Sequence, residues 1–206
     1  GFGWDGGWFR DDFTNTPLAI ARDTRIAAPE GYVVLSDRSF SASGTGGQGK
    51  LARKLASGSV IDLSVDGTYF FSTLVRRNSH QWQSLGWLDS SGNESALVSL
   101  TNGNQIRALL KNGSGTATNT IGGALPDADG DLLVVAKLEV KTSGNETLSV
   151  NVYRSDVHTV PYYEPATWDV SHSAEMGTGS LDAAVFYPDA RNSSPLAVEA
   201  ALMSEF

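Results

Sequence analysis

An all-β fold, two antiparallel sheets packed as a sandwich, is what this sequence predicts, and three observations predict it. Residues 131–154, DLLVVAKLEVKTSGNETLSVNVYR, alternate apolar and polar side chains on both sides of a Gly/Asn turn, as an antiparallel hairpin with one buried face must. Turn signals then recur roughly every 8–15 residues between short runs of the same kind, the spacing of a sandwich. No long stretch carries the 3.6-residue period of an amphipathic helix. With 206 residues the chain reads as one domain, 1–206. A chain of that length buries roughly 70% of its unfolded surface, enough for an unassisted core.

Taken in order, residues 1–17 are rich in Gly, Trp and Asp and read as an irregular start. Residues 18–26 fit either a short strand or a helical turn. GYVVLSD (31–37) reads as a strand, and a Ser/Gly loop follows over 39–49. Strands are expected at 50–56, 60–65 and 68–77, with Asp66-Gly67 as a hairpin turn between the last two. Strands 84–89 and 94–100 flank a turn at Ser90-Ser91-Gly92-Asn93, and 105–111 and 116–121 flank Asn112-Gly113. In the 131–154 hairpin, Leu132, Val134, Ala136, Leu138 and Val140 share a face, and Leu148, Val150 and Val152 answer them. Lys137 and Glu139 fall on the opposite face, where solvent is expected. Residues 155–180, with Pro161, Pro165 and Gly177, read as a long crossover loop, and strands return at 180–187 and 196–205.

The charge balance is 15 basic against 23 acidic residues, net −8. Such a chain repels phosphate backbones and anionic lipid, so no nucleic-acid partner is expected. No segment approaches the ~18 apolar residues of a membrane-spanning helix, so no membrane insertion is expected. The absence of cysteine excludes disulfides, thiolate metal sites and Cys nucleophiles. The chain opens on Gly, not Met, and reads as processed or as a piece of a longer protein.

Four segments in order carry a family resemblance: the Gly-rich GFGWDGGWF (1–9), GGQGKLARKLA with Arg53 and Leu55, TYFFSTLVRR (68–77), and the Leu-Leu-Val strand with its return over 132–153. In these the chain resembles the concanavalin A-like (LamG-type) jelly-roll domains of bacterial exported proteins, especially those of Planctomycetes and Verrucomicrobia. The resemblance implies a two-sheet antiparallel jelly roll, an extracellular or cell-surface location in a bacterium, and a non-catalytic recognition module with carbohydrate as ligand. It also implies structural roles for Trp4 and Trp8. Domains of this kind carry one more strand ahead of the Gly-rich stretch. Without it, the 196–205 ladder is expected to expose an edge that recruits a second copy; the alternatives are that the chain is trimmed or that residues 18–26 fold back and cover the edge. The alternative function is accordingly a structural subunit of a self-assembling extracellular homopolymer or homo-oligomer.

Catalysis finds little support in the residues. A glycosidase needs two carboxylates held across the scissile bond, yet no Glu-x-Asp-x-Glu run occurs, and Glu139 and Glu199 read as isolated and solvent-facing. His80, His158 and His172 lie in or beside expected loops, with no Gly-x-Ser-x-Gly elbow.

Binding residues are easier to nominate. Trp82 stands among amide and imidazole groups in NSHQWQ (78–83), so Trp82, His80 and Gln83 form one candidate sugar platform. Tyr162, Tyr163 and Trp168 in the crossover form a second. Against both stands the ordinary use of Trp as a packing residue. Asp127, Asp129 and Asp131 begin a calcium-type loop but lack the Glu that completes an EF-hand; they read as a calcium site or as an acidic turn feeding the next strand.

Overall fold

The computed structural model describes residues 4–10, 40–41, 51–77, 82–125, 130–154, 156–161, 163–187 and 197–203; the segments 18–26 and 31–37 lie outside these. The described strands are β1 (Trp4–Arg10), β2 (Phe40–Ser41), β3 (Leu51–Leu55), β4 (Ile61–Asp62), β5 (Gly67–Arg77), β6 (Gln83–Asp89) and β7 (Glu94–Leu100). They continue with β8 (Gln105–Lys111), β9 (Ala117–Ala124), β10 (Gly130–Val140), β11 (Glu146–Arg154), β12 (Val170–Ala174), β13 (Ser180–Tyr187) and β14 (Ala197–Met203). One sheet has the order β1-β3-β13-β6-β7-β8-β9, with β4 beside β13; the other has the order β12-β11-β10-β5-β14-β2. Every pairing is antiparallel, and the two sheets stack as a jelly-roll sandwich. Among the described residues no helix is long and apolar enough to cross a membrane.

The alternation read in the sequence builds the interior. Leu132, Val134, Ala136 and Leu138 of β10 and Leu148 and Val150 of β11 are all 0% exposed and belong to one apolar cluster between the sheets. Leu85, Trp87, Val98 and Ala108 supply the facing layer. Phe71 of β5 meets Trp87 of β6 edge-on, ring centres 5.5 Å apart, a geometry favoured by the ring quadrupoles. Buried Arg77 at the end of β5 also spans the layers, donating from Nη2 to the Thr101 carbonyl at 3.1 Å.

Several expectations are corrected. The Gly/Trp-rich start is not wholly irregular, because Trp4–Arg10 pairs with β3. Asp66-Gly67 does not close a hairpin: β4 pairs with β13 in one sheet and β5 with β10 and β14 in the other. The pair instead marks the crossing between sheets. Asp66 Oδ1 accepts the Thr142 N–H at 2.5 Å, tying the start of β5 to the turn after β10, and that bond holds the Asp66 carboxyl below its ordinary value. The crossover 155–180 contains a strand, β12, on the edge of β11. The β14 edge is not bare along its length, since β2 pairs with Ala197 and Val198.

Lys137 is the largest surprise. It is 8% exposed, because the crossover passes over the outer face of β10 and β11. Leu74, Leu133 and Val135 form an apolar patch on that face, and Tyr153, Val160 and Trp168 pack on it.

Candidate functional site

Antiparallel register places Ser84 of β6 beside Ser99 of β7, Ser99 beside Arg107 of β8, and Arg107 beside Ile121 of β9. These residues alternate with the core positions Leu85, Val98, Ile106 and Ala108, so they form a row on the outer face of the larger sheet. Trp82 enters the row from the segment before β6. Its indole Nε1 donates to Ser84 Oγ at 3.1 Å, and Ser84 Oγ lies 2.8 Å from Ser99 Oγ. The Arg107 guanidinium sits over the indole ring, 5.7 Å from its centre. The half-buried ring is thus held by a hydrogen bond at its edge and a cation on its face, a cation–π arrangement worth about 0.5–1 kcal/mol where water reaches it.

Sequence reasoning chose Trp82 but missed Arg107. Its position was legible, since 105–111 alternates with Ile106, Ala108 and Leu110 inward, yet a lone Arg on a strand carries no motif. Among the described residues Arg107 has no carboxylate or hydrogen-bond partner, and its Nε is buried without one. Gln83, nominated with Trp82, is 0% exposed. It shares the inward parity of Leu85 and Trp87, so the structure does not bring it to the Trp82 face. His80 lies outside the described residues.

The second nominated cluster is divided as well. Tyr163 is 77% exposed, whereas Trp168 is half-buried against Leu74, Leu133 and Val135; Tyr162 lies outside the described residues. Lys137 Nζ stands 5.4 Å from the Trp168 ring centre. It pairs with Glu139 Oε2 at 3.3 Å and hydrogen-bonds Glu164 Oε1. Burial depresses the ammonium's pKa, but the two carboxylates outweigh it and leave the group above its ordinary value. Glu139 is therefore neither isolated nor wholly solvent-facing. The crossover is fastened below this point: Asp169 Oδ2 accepts the Val152 N–H at 2.9 Å, and Asn151 Oδ1 accepts the Asp169 N–H at 2.7 Å. Trp168 reads as the anchor of that strap.

Of the acidic turn, Asp127 and Asp129 lie outside the described residues, while Asp131 is half-buried at the start of β10, opposite Arg76 in register. Among the described residues no three metal-ligating side chains cluster.

A polar cleft of about 590 Å³ opens where the turns after β6 and β8 meet the segment before β13, with Leu63 and Met176 in its wall. Its polar atoms are mostly engaged in shaping the turns. Asp89 Oδ1 accepts from the N–H groups of Ser91 and Asn93, and Asn112 Oδ1 accepts from the Thr116 N–H and the Ser114 hydroxyl. The cleft lies at the opposite end of β8 from the Trp82–Arg107 row and carries no aromatic face, so the row is the better-furnished site.

No protein-family model matches the chain, and no curated protein does. Among solved structures it is similar to the binding domain of Paraclostridial Mosquitocidal Protein 1, at 12% identity over 94% of this chain and 45% of that one, TM-score 0.51. It is similar also to an HCR/D mutant, at 10% identity over 96% of this chain and 47% of that one, TM-score 0.50. A third likeness is to the alginate lyase from Alteromonas sp.272, at 10% identity over 91% and 94% of the two chains, TM-score 0.49. The chain spans less than half the length of the first two structures. At such identities the likeness shows the fold alone, a β-sandwich.

Proposed function

We propose that the chain is a non-catalytic, extracellular recognition module that binds carbohydrate through the Trp82 face of its larger sheet. One observation carries the reading: Trp82 is held in place by Ser84 and Arg107 on the outside of the sheet instead of being spent in the core. A sugar ring stacks its axial C–H bonds on such a surface while its hydroxyls meet neighbouring polar groups, here Arg107 and exposed Gln105. An indole fixed before binding loses little entropy on association. Exposed Tyr163, in the crossover between β11 and β12, is a secondary contact. The LamG-type resemblance agrees with this reading, but fold does not imply function, so the weight rests on the site.

The test is a polysaccharide panel read by affinity electrophoresis with the whole chain. Retardation by at least one polymer, abolished in Trp82→Ala with an unchanged melt, is the expected result. Fibres in negative stain together with no retardation would favour the rival reading, a self-assembling structural subunit.

A further inference from the structure

We infer that the Trp82–Arg107 site selects acidic polysaccharide, with the Arg107 guanidinium taking a sugar carboxylate; this rests on the carbohydrate reading above. Three observations support it. Arg107 has no carboxylate or hydrogen-bond partner among the described residues, although its Nε is buried. A guanidinium presents parallel N–H donors that match the two oxygens of a carboxylate. Such a fork, held by an indole and otherwise unanswered, is a binding group awaiting an anion.

The second observation is local charge. Within β6–β9, the strands of the row, the charged residues are Asp89, Glu94, Arg107 and Lys111. Glu94 pairs with Lys111 at 3.5 Å and Asp89 accepts turn N–H groups, all at the far turn end. Arg107 is thus the charged side chain of these strands that stands beside Trp82 on an otherwise net −8 chain. The overall charge opposes a polyanion at long range. Screening over about 8 Å at physiological salt weakens that repulsion, while a contact pair at Arg107 survives it.

The third observation is the setting. Ser84, Ser99 and Arg107 lie on three adjacent strands, a span of roughly 10 Å. The same outer face of this sheet continues as a closed apolar surface, Val185, Leu97 and Leu109, each 5% exposed or less. Arg107, Trp82, Gln105 and Ile121 are the row's solvent-reaching groups. The aromatic ring therefore stacks the sugar, and the neighbouring cation reads its charge.

Polygalacturonate, polyglucuronate and hyaluronan, each paired with its carboxyl-reduced form, test this without relying on any one variant. Expected is retention of at least one acid form, ten-fold or more tighter than its reduced partner, with Arg107→Gln binding both forms at the weaker level. Arg107→Lys should recover only part of the preference, because an ammonium lacks the fork. Equal binding of acid and reduced forms, or binding of reduced forms alone, overturns acid selection and leaves carbohydrate recognition standing. Binding of neither form, while neutral polysaccharides of the wider panel are retained, has the same meaning. No binding to any polysaccharide removes both readings.

Discussion

Lys137 Nζ lies 5.4 Å from the centre of the Trp168 ring, and this contact straps the long crossover onto the outer face of β10 and β11. The ammonium answers two carboxylates at once, Glu139 and Glu164. Its loss leaves both acids beside an apolar patch without their cation. Lys137→Gln should therefore destabilise the fold by about 1–2 kcal/mol, between the worth of a surface pair and that of a buried one. Because the folded-state pKa is raised, this contribution is fully present below the ordinary value of 10.5 and is lost as pH rises through the higher folded value. A denaturant midpoint for Lys137→Gln equal to that of the parent at pH 7 would contradict the strap.

His172 of β12 joins the two sheets at their edge. Its Nε2 lies 2.9 Å from Thr118 Oγ1 and its Nδ1 3.0 Å from Thr120 Oγ1, both on β9. Burial holds its pKa below the ordinary 6.5. The unfolded chain thus takes up this proton first as pH falls, so stability present above about pH 6.5 is lost below it. Melts of the parent and of His172→Gln between pH 7.5 and 5 should show a smaller loss in the variant; identical slopes would remove His172 from the acid response.

The central hairpin makes a simpler demand. Val134 and Val150 are both 0% exposed, and a carboxylate at either site has no partner in the apolar cluster. Val134→Asp or Val150→Asp should cost about 4 kcal/mol or unfold the chain outright. A melt within a degree of the parent would mean the inward face is misassigned.

Metal binding at the acidic turn remains a proposal. If Asp127, Asp129 and Asp131 hold calcium, millimolar calcium raises the melting temperature by mass action and Asp129→Ala abolishes the rise. No rise in the parent leaves these residues as an acidic turn.

Much of the fold was legible because alternation leaves a period-two record wherever one face is buried. The hairpins β6–β7 and β10–β11 and the strand β8 follow it, as does the inward set of β10, while β9 is exposed along nearly its whole length. Lys137 misled because the pattern assigns a residue to a face without saying what covers that face, and the crossover covers it. β12 was hidden because Val170-Ser171-His172-Ser173-Ala174 has only two apolar inward residues and follows a Pro-rich stretch. Asp66-Gly67 has the composition of a hairpin turn, but pairing depends on partners distant in sequence, and here they lie in different sheets. At the site, Trp82 was legible as a large aromatic in polar company. Gln83 was not, because its inward position depends on where β6 begins, and Arg107 became visible only once strand register set it beside Ser99 and over the indole.

Carbohydrate recognition at Trp82 is the central claim, and the indole N–H resonance of Trp82 tests it most directly. In a ¹⁵N–¹H spectrum of the uniformly labelled chain, assigned by comparison with Trp82→Phe, titration with an oligosaccharide of a retained polymer should shift the Trp82 Nε1–H. The indole signals of buried Trp87 and strap-bound Trp168 should stay in place. A saturable shift confined to another tryptophan, or no indole shift while the oligosaccharide binds, would contradict the account.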